Sequence, residues 1–165
     1  MNLCEFSVPR EQRYFEDYVE GAKFEYGPIS VDEAEVIAFA KRYDPQTMHT
    51  DPQEAARGPF KGLIASGWQT MSLMMRLFVD HYLSAVASIA SPGVDEVRWL
   101  RPVRPGDQLM LRVSILETRP SRSKPDRGMV VSLLEAVNQS GDVVASLKAM
   151  NLLAARNPRG TRAKT

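Results

Sequence analysis

The stretch over residues 67–79 constrains this chain most. Trp68, Met71, Leu73, Met74, Met75, Leu77, Phe78 and Val79 leave almost no polar face, interrupted by Arg76. A helix apolar nearly all round must be enclosed by the rest of its domain. It is also shorter than the ~18 apolar residues a membrane span needs, so the pattern predicts a core helix. The C-terminal half of the chain can enclose it. Residues 94–100, 108–116, 129–136 and 143–153 read as strands, and Leu109, Leu111, Val113 and Ile115 alternate with other residues in the clearest of them. The connectors at 104–107, 119–128 and 138–142 carry Pro, Gly, Asn and Asp, the residues that turns require. With a further short strand at 23–29, these elements predict an α+β fold, an antiparallel sheet wrapped around one central helix.

Between the first strand and that helix the chain is punctuated. Ser30 followed by Glu33 makes a capping box, so a helix is expected from Ser30, with Val36, Ile37 and Ala40 as its apolar face. Pro45 disfavours helix at Asp44 and stops it near Tyr43. Residues 44–50 are then expected as a loop. A second helix is expected at Asp51 as N-cap, with Pro52 in the first position and Glu54 close behind. The resulting division is an N-terminal extension over 1–14, a single domain over 15–155, and a basic, solvated tail over 156–165 that carries Arg156, Arg159, Arg162 and Lys164.

At 165 residues the chain suffices for one domain with a proper core. A formal charge of +1 gives no global reason to expect a nucleic-acid partner. The single cysteine, Cys4, excludes an intramolecular disulfide and a cysteine-rich zinc site. The N-terminus lacks a positive flank followed by an apolar run, and a cytoplasmic location without membrane association is expected.

Chemistry concentrates in two segments. Asp44 and His49 stand five residues apart, and Gly62-Leu63-Ile64-Ala65-Ser66-Gly67-Trp68 leads into the central helix. A carboxylate and an imidazole can share one water and divide the proton transfers of a hydration. A buried helix N-terminus offers free N–H groups and a favourable dipole to a developing oxyanion. Each residue also has a plainer reading. Asp before Pro is common in turns, and His49 can be a half-buried histidine that satisfies a backbone group. His81 reads as a packing residue and Asp51 as a helix cap. Ser66 reads as a hydroxyl lining a pocket, because no Gly-x-Ser-x-Gly elbow surrounds it.

These segments, taken with Val97-Arg98-Trp99-Leu100-Arg101-Pro102-Val103-Arg104-Pro105-Gly106-Asp107, resemble the MaoC-like dehydratases, the (R)-specific enoyl-CoA hydratase branch of the hot-dog superfamily. The likeness spans roughly residues 15–153. It implies a curved sheet around one long helix and a homodimer. It also implies hydration of a trans-2-enoyl-CoA, with coenzyme A as part of the substrate and no metal or other cofactor. The family's catalytic pair falls on Asp44 and His49, and its oxyanion-binding N–H on Gly67. Gln46, Ala65, Ser66, Trp68 and Met75 are the expected substrate contacts. Arg119, Arg122, Lys124 and Arg127 form a basic connector that can clamp a coenzyme A phosphate or stand simply as a solvated loop. The sequence departs from the family pattern in having Arg42-Tyr43 before the aspartate and Gln46-Thr47 in place of Asn-Pro. Two other readings stay open: an acyl-CoA thioesterase, and a non-catalytic acyl-CoA-binding protein.

Overall fold

The computed structural model describes residues 2–158. Five strands, β1 (Lys23–Ser30), β2 (Ser88–Trp99), β3 (Gln108–Pro120), β4 (Arg127–Val137) and β5 (Val143–Ala154), form one antiparallel sheet in the order β1-β3-β4-β5-β2. The helices are α1 (Glu33–Tyr43), α2 (Thr47–Thr50), α3 (Pro52–Arg57) and α4 (Gly67–Leu77), the last running on into a π-helical turn, Phe78–Tyr82. This is the α+β hot-dog arrangement expected from the sequence.

The sheet's inner face follows from the period-2 pattern. Leu109, Leu111, Val113 and Ile115 of β3 are buried, as are Val130 and Leu134 of β4 and Leu147, Ala149 and Leu153 of β5. Against them α4 and its π-helical turn set Met74, Leu77, Phe78 and Tyr82. The fully buried Tyr82 stacks on Phe78 and exchanges a 2.8 Å hydrogen bond with Ser132, so its polar end is satisfied inside the core.

The far end of this central helix is tied down by the N-terminal arm. The Arg13 guanidinium is buried, donates to the Tyr82 and His81 carbonyls at 2.7 and 3.0 Å, and lies over the Phe6 ring. Arg10 reaches the Leu83 and Asp80 carbonyls. A cation on unsatisfied helix-end carbonyls is favourable on both hydrogen-bonding and dipole grounds. Phe6 stacks on Phe24, and the Cys4 N–H bonds the Lys23 carbonyl, so this segment is part of the domain's packing.

Several expectations change. Ser30 does not cap a helix: it ends β1, and its hydroxyl donates to Gln108 of β3. Asp32 caps α1 instead, accepting from the Glu35 N–H at 2.9 Å, because Val31 is held in the core and fixes where the chain can turn. The expected loop over 44–50 contains the single helical turn α2. Strand β2 begins six residues earlier than expected, passing through Ser91-Pro92-Gly93. As an edge strand with several register shifts it tolerates a proline that a central strand would exclude. The central helix is not enclosed all round in one chain, since Trp68, Met75 and Val79 are exposed. Arg156, read as the start of a solvated tail, is anchored by Asp17 at 2.6 Å and by the Glu16 carboxylate. The rest of that expected tail, from Arg159 with Arg162 and Lys164, lies outside the described residues, as does Met1.

Candidate active site

Helix α1 ends at the residue the site needs. The Asp44 N–H still closes a helical bond to Ala40, but its backbone has left helical geometry, and Pro45 prevents a further turn. The Asp44 carboxylate therefore stands at a helix end. Gln46 caps α2, whose single turn carries His49 into the interior, where it is 5 % exposed. The His49 Nδ1 lies 2.8 Å from the Ile64 carbonyl oxygen. A carbonyl only accepts, so Nδ1 carries a proton, and Nε2 is the nitrogen turned toward Asp44.

That Nε2 is 3.5 Å from Oδ2 of Asp44. Two acceptors at this spacing can both be reached, at about 2.8 Å, by one donor with two hydrogens. The Asp44 carboxylate is itself held on both oxygens. Gln46 donates to Oδ1 at 2.7 Å, and the fully buried Ser66 hydroxyl donates to Oδ2 at 2.7 Å. The Gln46 amide, then the Ser66 hydroxyl, and then the neighbouring His49 hold the Asp44 carboxyl below the usual carboxylate range. It stays ionised at neutral pH.

Ser66 has a second task. Its oxygen accepts from the Trp68 N–H at 3.3 Å, capping α4, so one hydroxyl joins the carboxylate to the start of the central helix. Gly67 is the first residue of α4, and its N–H has no acceptor among the described residues. A Cβ built on Gly67 would overlap the indole of Trp99. Glycine here makes room for Trp99 as much as for any ligand. Trp99 meets Trp68 edge to face at 5.3 Å.

Asp44, Gln46, His49, Ala65, Gly67 and Trp68 all line one cavity of about 440 Å³, together with Phe60, Thr70, Trp99, Leu100, Arg101 and Val144. Most of the residues singled out in the sequence are thus brought together, with Ser66 directly behind them. The sequence reading missed the Ser66–Asp44 hydrogen bond and the role of Trp99, although Trp99 lies inside a motif it had picked out. Gln46, expected as a substrate contact, lines the cavity, and its amide also holds Asp44.

Two groups of expected residues lie away from this cavity within one chain. Met75 is not among its lining residues. It lines a second one of about 230 Å³ further along α4, with Met71, Met74, Phe78 and Leu147. The basic connector lies at the opposite end of the sheet from this cavity. Arg127 pairs in register with Ala154, ten residues along β5 from Val144 in the cavity wall, which is about 33 Å at 3.3 Å per residue. Arg127 is bound to Asp126, and Arg119 lies 3.5 Å from Glu117. Neither Arg122 nor Lys124 lines the cavity. Arg101 lines the cavity, and Arg104 donates to the carbonyl of Phe60, another lining residue. His81 is stacked on Tyr26, away from the site.

A five-stranded antiparallel sheet around one helix, with an aspartate–histidine pair and the helix N-terminus opening on one cavity, defines a hot-dog domain of the dehydratase type. The chain belongs to the family described as MaoC like domain, whose model matches residues 17–137. It is 31% identical over 124 residues to the uncharacterized protein YdeM of Bacillus subtilis, covering 75% of this chain and 86% of that one. It is 33% identical over 90 residues to 3-hydroxyacyl-thioester dehydratase Z of Mycobacterium tuberculosis, covering 53% of this chain and 60% of that one. The crystal structure of the MaoC-like dehydratase from Rhodospirillum rubrum superposes with a TM-score of 0.79 at 35% identity, over 88% of this chain and 99% of that one.

Proposed function

We propose that this protein reversibly hydrates a trans-2-enoyl-CoA to the (R)-3-hydroxyacyl-CoA. The observation that carries this reading is the meeting of Asp44, His49 and the Gly67 N–H on one cavity, with the His49 proton committed to Ile64. The thioester oxygen accepts from Gly67 N–H at the positive end of α4. A donor aimed at a developing oxyanion in a water-poor site contributes about 3–4 kcal/mol to lowering the barrier. Water sits between His49 Nε2 and Asp44 Oδ2, loses a proton as it adds to the β-carbon, and that proton returns to the α-carbon. Hydrogen bonds from Gln46 and Ser66 keep Asp44 ionised and oriented. The function named for the Mycobacterium tuberculosis relative, a 3-hydroxyacyl-thioester dehydratase, is the same reaction in reverse. The (R) configuration and the coenzyme A carrier rest on the family resemblance.

The acyl chain runs along α4 from Gly67 toward the second cavity, where Met75 contacts it. A second copy of the chain covers the exposed apolar strip of Trp68, Met75 and Val79 on the helix and Val94 and Trp99 on edge strand β2. An unpaired edge beside such a strip favours self-association. A cytoplasmic location fits a coenzyme A substrate.

The test monitors the enoyl-thioester absorbance with crotonyl-CoA and longer trans-2-enoyl-CoAs. Wild type is expected to hydrate them, and Asp44→Asn and His49→Ala to lose roughly 100-fold or more each. Release of free thiol from saturated acyl-CoA, without change at the double bond, would assign a thioesterase instead. Binding without any turnover would assign a non-catalytic acyl-CoA protein.

A further inference from the structure

Strand β5 turns Leu147, Ala149, Asn151 and Leu153 to the buried side of the sheet. Three of these four are aliphatic, as the inner face of a wrapped sheet demands. The fourth is a carboxamide. Asn151 is 6 % exposed, stands opposite Val130 on β4, and its Oδ1 is buried without a hydrogen-bond partner among the described residues. Leaving such a group unpaired in the interior is costly, and folded chains rarely tolerate it without a reason.

Asn151 lines the second cavity, whose other walls include Met71, Met74, Met75, Phe78 and Leu134. Besides Asn151, the polar side chains on its lining are Ser88, which is exposed to solvent, and Ser91, whose hydroxyl is taken up by the Met150 carbonyl at 2.6 Å. The cavity is therefore an apolar slot with one uncommitted carboxamide. Gln69 repeats the theme on the helix. It lies two residues beyond Gly67, is also buried, and its Oε1 lacks a partner among the described residues.

The helix sets the reach. Met74 and Met75 follow Gly67 by seven and eight residues, about 10–12 Å along α4 at 1.5 Å per residue. An extended chain advances about 3.3–3.6 Å for every three bonds, so roughly eight to ten bonds separate a thioester carbonyl at Gly67 from a group in the slot.

Resting on the hydratase reading above, we propose that Asn151 is a specificity-determining residue: the preferred acyl group is of medium length and carries an oxygen, a hydroxyl or equivalent, near its far end, where the Asn151 carboxamide receives it. A hydroxyl both donates and accepts, so it satisfies the buried Oδ1 and needs no charged partner, consistent with the absence of lysine, arginine and carboxylate side chains from the cavity walls among the described residues. A plain alkyl end in the same slot leaves the carboxamide unpaired, and discrimination arises from that mismatch.

Binding is measured calorimetrically with saturated ligands that are not hydrated: octanoyl-CoA and decanoyl-CoA against 8-hydroxyoctanoyl-CoA and 10-hydroxydecanoyl-CoA. Wild type is expected to bind the hydroxylated member of at least one pair roughly tenfold or more tighter. Asn151→Leu is expected to abolish or reverse that preference while remaining at least as stable to urea as wild type. A merely structural asparagine would instead make this variant less stable and leave the preference unchanged. Equal binding of both members of each pair by wild type overturns the proposal. So does a preference that survives in Asn151→Leu and in a second variant, Asn151→Val. Turnover of crotonyl-CoA is measured separately: its failure in wild type strikes the hydratase reading, whereas wild type that turns over crotonyl-CoA but does not discriminate the hydroxylated ligands strikes only the assignment of Asn151.

Discussion

Replacing Ser66 by alanine tests the most connected atom of the site. The Ser66 hydroxyl donates to the Asp44 carboxylate at 2.7 Å and accepts from the Trp68 N–H at 3.3 Å, with no solvent exposure. A hydrogen bond to a charged group contributes about 1.5–3 kcal/mol, and the lower end applies because the Asp44 side chain is 20% exposed and water can replace part of it. A cap at 3.3 Å adds about 0.5 kcal/mol. The expected loss is about 2 kcal/mol at neutral pH, and it should depend on pH with a definite sign. The native carboxyl of Asp44 is held below its ordinary range by Gln46, Ser66 and His49. Its contribution is therefore complete above the unfolded value and vanishes as pH falls through the lowered native one. Urea unfolding of wild type and Ser66→Ala at pH 7, and again at the lowest pH where both refold, should give a gap that shrinks toward the cap contribution in acid. In the same variant the acid limb of kcat/KM should move to higher pH. A stability gap that is the same at both pH values would refute the assignment of the Ser66 hydroxyl to an ionised Asp44.

Gly67→Ala should push the Trp99 indole out of its place. Because that side chain is already half-exposed, stability should change by no more than about 1 kcal/mol while kcat falls, with altered tryptophan emission as the check. Arg13→Met should free the Tyr82 and His81 carbonyls at the end of the central helix and cost about 3 kcal/mol, a drop in Tm of about 6–12 °C by calorimetry, with activity at low temperature retained. Tyr82→Phe leaves the buried Ser132 hydroxyl without its partner and should cost about 1–2 kcal/mol in urea unfolding, with no effect on catalysis. Gln46→Ala should raise the pH at which activity is lost in acid, because the Gln46 amide is the foremost influence lowering the Asp44 carboxyl; an unchanged acid limb would count against that role.

Much of this molecule is written locally. The alternation of Leu109, Leu111, Val113 and Ile115 placed β3 and its buried face, because a strand's period is set by its own backbone. Pro45 ended α1 at Asp44, and Asp51 with Pro52 opened α3, because caps and proline act within a few residues. Asp44 and His49 stand close in the chain and a glycine precedes the apolar helix, but the family resemblance joined them into one site, and the helical turn α2 that carries His49 inward was not foreseen. The choice between Ser30 and Asp32 as the cap of α1 was not local. It was decided by Val31 entering the core and by Ser30 pairing with a strand 78 residues away. The start of β2 was hidden because Pro92 reads as a breaker unless the strand is known to lie at an edge.

Residue order alone specifies the inventory: one α+β domain, a single apolar central helix, and a carboxylate and imidazole close together in the chain. How those parts are used depends on the folded chain. Folding brought Ser66 to Asp44 across 22 residues and Trp99 onto Gly67, carried Arg119–Arg127 to the opposite end of the sheet, and left Asn151 unpaired in an apolar slot. Hydrogen bonds, steric overlap and desolvation act over a few ångströms of space, whereas the sequence orders residues only along the chain.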